Sequence, residues 1–197
     1  MITDTGTNGT NQGPRIPLFP MEGMSSEQRA VYQAIVSGPR GKVSGPLRAA
    51  LHSPELADKW QQLGELLRFR TSLSPRLSEL ALLVTAKHWH SQFEWQTHAP
   101  IAARAGLPEA LIESIRTGDD VVPAHPADAV VYRYCKLLLR DRDVDDITHA
   151  EALDLLGIAG IVELTAIVGY ISMAALMLIA HRIPVPQEAS TTPPLCR

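Results

Sequence analysis

Apolar residues recur along this chain at three- and four-residue intervals, interrupted by Ser-Pro pairs and glycines. That periodicity predicts successive amphipathic helices, and no strand-like alternation bounded by hairpin turns occurs. Ser26 can cap a short helix running through Ile35, closed by Ser37-Gly38-Pro39. Three glycines and two prolines make 38–46 a loop. Ser53-Pro54-Glu55 and Ser74-Pro75 are strong helix starts, a capping serine followed by proline at the first position. The first predicts a helix to about Arg70, the second one through Trp89. Ser91-Gln92-Phe93-Glu94 fits a capping box and predicts a new helix or a kink, ending near Gly106. Leu107-Pro108-Glu109 opens a helix to about Arg116, and 126–141 and 148–156 give two more, with Gly157 closing the second. The class is all-α, without a fixed-period repeat.

The last helix, Ile158 to about His181, is apolar on nearly every side, with Glu163 the only charge from Ile158 to Ala180. Its length suits a bilayer. Its many small residues and lack of aromatic and basic belts favour a helix buried in a core or subunit interface, so no membrane span is expected. The chain is expected to be organised as a flexible arm (1–20), a single helical domain (21–183) and a flexible tail (184–197).

At 197 residues, 45% hydrophobic and 20% charged, the chain has the composition of one globular domain. A net charge of -3 and scattered cations leave no basic stripe, so nucleic acid is not an expected partner. Two cysteines in unrelated contexts, Cys135 and Cys196, argue against a disulfide framework and for a reducing cytoplasm. The polar N-terminus predicts no signal peptide.

Chemistry concentrates between Glu79 and His98, where ionisable groups interrupt apolar sequence. At about 100° per residue, Glu79 and His90 share a face if the helix is continuous. His90, Glu94 and His98 follow at four-residue intervals. A carboxylate beside an imidazole suits proton transfer, and Glu79 can act as a second acid or base if the fold brings it close. Structural alternatives stand beside each role. Glu94 can cap its helix through Ser91, His98 can be a hydrogen-bonded core histidine, and Glu79 can pair with Arg76 or Lys87. Trp95, His90 and Arg76 are candidate substrate-binding residues, with Lys87 as another possible anchor for a carboxylate. No metal is expected: His88 and His90 face different sides, and a helical metal site usually draws ligands from other helices.

Three stretches together, Ser78-Glu79-Leu80-Ala81-Leu82-Leu83-Val84-Thr85-Ala86, Phe93-Glu94-Trp95-Gln96-Thr97-His98 and Ala105-Gly106-Leu107-Pro108-Glu109, resemble the carboxymuconolactone decarboxylase-like family. That superfamily also holds the alkylhydroperoxidase D-like proteins, and the resemblance covers about residues 45 to 183. It implies a compact multi-helix domain that assembles into trimers or hexamers. The peroxidase branch carries a C-x-x-C pair at positions held here by Ser91 and Glu94, so thiol-based peroxide reduction is not expected. The decarboxylase branch keeps a glutamate four residues before the histidine, as Glu94 and His98 do.

The resulting expectation is a cofactor-independent lyase or isomerase acting on a small carboxylate or lactone from aromatic-compound breakdown. In it His98 moves the proton, Glu94 orients and tunes His98, and Glu79 is the second acid or base. An alkylhydroperoxidase-like stress protein and a non-catalytic oligomeric binding protein are the alternatives.

Overall fold

The computed structural model describes residues 13–18, 21–119, 122–185 and 192–196. It is all-α. After a 3-10 turn at Met21–Gly23 come α1 (Ser26–Ser37), α2 (Pro46–Ala50), α3 (Pro54–Phe69) and α4 (Pro75–His88). They are followed by α5 (Gln92–Arg104), α6 (Glu109–Thr117), α7 (Pro126–Asp141) and α8 (Asp146–His181).

The centre is α4, which packs against α5, α7 and α8. Every residue from Ser78 to Ala86 is buried, so this helix has no solvent face along most of its length. Ser74 accepts a hydrogen bond from the Leu77 backbone N–H and Pro75 follows it, the start signal read from the sequence. At the start of α1 the cap is Ser25 rather than Ser26, in a full capping box with Gln28. The short α2 lies at the end of the expected 38–46 loop; a five-residue helix leaves no readable period.

Gly157 breaks α8. Its backbone sits at φ 68° and ψ 174°, a region open essentially to glycine alone, and it divides the helix into the two segments the sequence predicts. Beyond that break one face, including Leu164, Ile167, Ile171, Ala174 and Leu178, is buried. The other face leaves Ile158, Val162, Leu176 and Ile179 exposed. By length and composition α8 could cross a bilayer, and half of its most apolar window is buried inside the protein.

Two segments expected to be flexible are in part tied down. Among the arm residues, Arg15 N–H donates to the His181 carbonyl and Ile16 and Leu18 pack near Phe93 and Leu178. At the other end Trp95 Nε1 donates to the Pro193 carbonyl, and Leu195 is buried with its N–H bonded to Gln92. Residues 192–196 thus lie against α4, α5 and α6 as an ordered strap, because backbone carbonyls there meet buried donors. The rest of the arm (1–12, 19–20) and of the tail (186–191, 197) lies outside the described residues.

Candidate functional site

The turn between α4 and α5 decides how the site is assembled. His90 takes a left-handed conformation (φ 52°) and breaks the helix, so the shared face expected for Glu79 and His90 is lost. His90 is exposed at this corner and does not line the site. The expected capping box at Ser91 does not form: the Ser91 hydroxyl is buried without a hydrogen-bond partner among the described residues. Glu94 is therefore not spent on the helix end, and its carboxylate turns toward His98.

Glu79, Glu94 and His98 converge. His98 Nδ1 lies 2.9 Å from Glu79 Oε2, across the α4–α5 contact. His98 Nε2 lies 3.5 Å from Glu94 Oε2, one helical turn away. The imidazole is thus held between two carboxylates, all three side chains being buried. The Glu79 contact is a hydrogen bond of ordinary length; the Glu94 contact has ion-pair range but is too long for a strong hydrogen bond.

Glu94 and His98 line a small cavity of about 50 Å³, together with Arg40, Arg68, Thr97 and Tyr170. Glu79 stands behind His98 and does not line it. Burial pushes the Glu94 carboxyl above its ordinary range, opposed by the positive fields of His98, Arg68 and Arg40. Burial and the neighbouring Arg40 lower the Arg68 guanidinium from its usual value, while Glu79, Tyr170 and Glu94 raise it. Burial likewise raises the Tyr170 phenol, whose oxygen accepts a 3.0 Å hydrogen bond from Arg40. Arg40 Nε is buried and has no partner among the described residues, a donor left over inside a cavity wall.

Gly64 on α3 makes room for this arrangement. A Cβ there would lie 2.1 Å from both Arg40 Nη2 and Tyr170 Oη, so any side chain would evict the pair.

The other candidates lie elsewhere. Arg76 forms an ion pair with Asp128 of α7. Lys87 donates to the Arg116 and Cys196 carbonyls. Trp95 is fully buried in the core, away from the cavity lining. Neither thiol is at the site: Cys135 is in the core, pushed up to about 12 by burial, and Cys196 lies against Arg116.

Arg40, Arg68 and Tyr170 were not among the sequence candidates. The signal for Arg40 was a cation inside a Gly/Pro-rich loop, and for Tyr170 a lone phenol within an apolar helix. Arg68, in the last turn of α3, looks like an ordinary helix-end cation.

No protein-family model matches the chain, and comparison with curated proteins gives no match.

Proposed function

We propose that this chain is a cofactor-independent lyase of the carboxymuconolactone decarboxylase-like type, acting on a small carboxylate or lactone from aromatic-compound breakdown. The observation that carries the reading is His98 held between Glu79 and Glu94 at the wall of a cavity that also presents Arg40 and Arg68. The order of the Glu79, Glu94, His98 and Gly106-Leu107-Pro108 motifs along the chain supports the same reading.

The roles follow from position. Glu79 accepts from Nδ1 and fixes the imidazole, the orienting part the spacing alone assigned to Glu94. Nε2 is then the atom that exchanges a proton with substrate. Glu94 shares the cavity and is biased by burial toward its neutral form, so it is the second acid or base.

Arg40 and Arg68 recognise an anion. For a β-keto or vinylogous carboxylate, the bond to CO2 breaks and its electron pair passes into an enolate facing the guanidiniums. CO2 leaves, Nε2 delivers its proton to the carbon, and solvent restores the proton through Glu94. The same groups support an isomerisation in which the proton is first removed and then returned. A cavity of this size accepts only a compact reacting end of the substrate.

The exposed apolar face of α8 supports a homo-oligomer, and two free cysteines are compatible with a cytoplasmic setting.

The test is release of CO2 from a panel of small β-keto and lactone carboxylates. The wild-type chain is expected to turn over at least one member, and His98→Ala to lose roughly 10²–10⁴ in rate while keeping its helical fold. Equal turnover by the two proteins would refute the assignment.

A further inference from the structure

Two phenols are buried along α8, and their hydroxyl protons have different fates. Tyr134 Oη lies 2.8 Å from Thr165 Oγ1, and Thr165 already donates to the Ile161 carbonyl, so Tyr134 is the donor and its proton is used. Tyr170 Oη instead accepts, from Arg40 Nη2 at 3.0 Å. Among the described residues no acceptor lies within hydrogen-bond distance of the Tyr170 proton. Tyr170 is only 9% exposed, so this is a donor taken out of water and left over.

Its neighbours hold it in place. The ring meets Trp60 edge-on, with centres 6.3 Å apart. The oxygen rests over Gly64, where a Cβ would come within 2.1 Å, and Arg40 grips it. The side chain then lines the small cavity that it shares with Glu94 and His98. Thr97, another hydroxyl of that wall, spends its proton on the Phe93 carbonyl. Burial raises the Tyr170 pKa against the opposing field of Arg40, so the phenol remains a neutral O–H at neutral pH.

We propose that Tyr170 is the specificity-determining donor of the Glu94–His98 pocket, selecting carboxylates that carry a keto or lactone carbonyl over alkyl carboxylates of the same shape. The selection holds only if that pocket is the substrate site, and it concerns recognition rather than turnover. An alkyl carboxylate answers the guanidiniums and leaves the phenol unpaired, whereas an oxo acid answers both, and a site built to hydrogen-bond an oxygen rejects the analogue that lacks it. The hydrogen bond from Arg40 polarises the O–H and strengthens its donation to that carbonyl.

Calorimetric titration of the full chain with two matched pairs tests this by binding alone. The pairs are pyruvate against isobutyrate and levulinate against 4-methylpentanoate, a methyl group replacing the keto oxygen in each. At least one keto acid is expected to bind about tenfold or more tightly than its alkyl twin. Tyr170→Phe keeps the ring, and should bring that pair within about twofold by weakening the keto acid and sparing the alkyl acid. Tyr134→Phe should leave the preference in place. Thermal melts followed by circular dichroism establish that each variant is folded. In the wild-type chain labelled with 13C at tyrosine Cζ, the preferred keto acid should also move one of the four tyrosine resonances further than its twin does. The assignment is overturned if neither keto acid binds, if neither is preferred, if Tyr170→Phe keeps the preference, or if no tyrosine resonance responds. A preference without CO2 release from any substrate sinks the lyase reading and leaves Tyr170 as a recognition residue; CO2 release without the preference does the reverse.

Discussion

Arg76 and Glu79 lie three residues apart on α4, near enough along a helix to pair with each other, yet they part company. Arg76 reaches α7 and closes on Asp128, a single cation against a single anion. Glu79 reaches α5 and closes on His98, whose other nitrogen faces a second carboxylate and a cavity with two guanidiniums. The first cluster is a fastening between helices. The second holds more ionisable groups than a fastening needs, and burial pushes Glu94 and Arg68 toward their neutral forms. Titratable groups biased toward neutrality at the edge of a cavity are what the proposed proton transfer would use.

Breaking the fastening should have the largest effect on stability. Asp128→Ala leaves Arg76 without its anion and should cost about 3 kcal/mol in urea unfolding, with turnover per folded molecule unchanged. Equal losses of activity and stability would erase the distinction between the two clusters.

Gly64→Ala sharpens the other side. Its methyl displaces Arg40 and Tyr170, so KM should rise about tenfold with a smaller change in kcat, alongside an overpacking cost of about 1–3 kcal/mol. If KM is untouched, Arg40 does not hold substrate.

The smallest effect concerns pH. Burial raises the Glu94 pKa, so the folded chain keeps that proton to higher pH than the unfolded chain. Its contribution is full below the ordinary carboxylate range and falls as pH rises through the displaced value. Glu94→Gln has no such loss, so its thermal stability relative to wild type should grow from acid to neutral pH. Each kcal/mol of difference corresponds to about 2–4 °C in Tm. A constant offset across that range would mean that Glu94 is not held toward neutrality.

The helices were legible because capping serines, Pro75 and the glycine at 157 act locally. The meeting of Glu94 with His98 was legible for the same reason, a four-residue spacing. The His98–Glu79 hydrogen bond was not, since it depends on the angle at which α5 crosses α4. Nor was the charge of the pocket: Arg40, Arg68 and Tyr170 come from three distant segments, and Arg40 and Tyr170 meet where Gly64 leaves them space. The docking of residues 192–196 was equally hidden, because Pro- and Thr-rich sequence carries no sign of the Trp95, Gln92 and Lys87 donors that wait for its carbonyls. Trp95, His90 and Arg76 looked plausible as substrate contacts for their proximity in sequence; the turn at His90 leaves His90 at a corner and Trp95 in the core, and Arg76, at the start of α4, pairs with α7.

The most direct measurement is deuterium incorporation from D2O at the acidic carbon of small lactone carboxylates and β-keto acids, followed by NMR with the wild-type chain and His98→Gln. The account predicts enzyme-dependent incorporation that drops roughly 100-fold or more in His98→Gln, whose side chain keeps polar contacts but cannot carry the proton. Incorporation at the same rate in both proteins would contradict it.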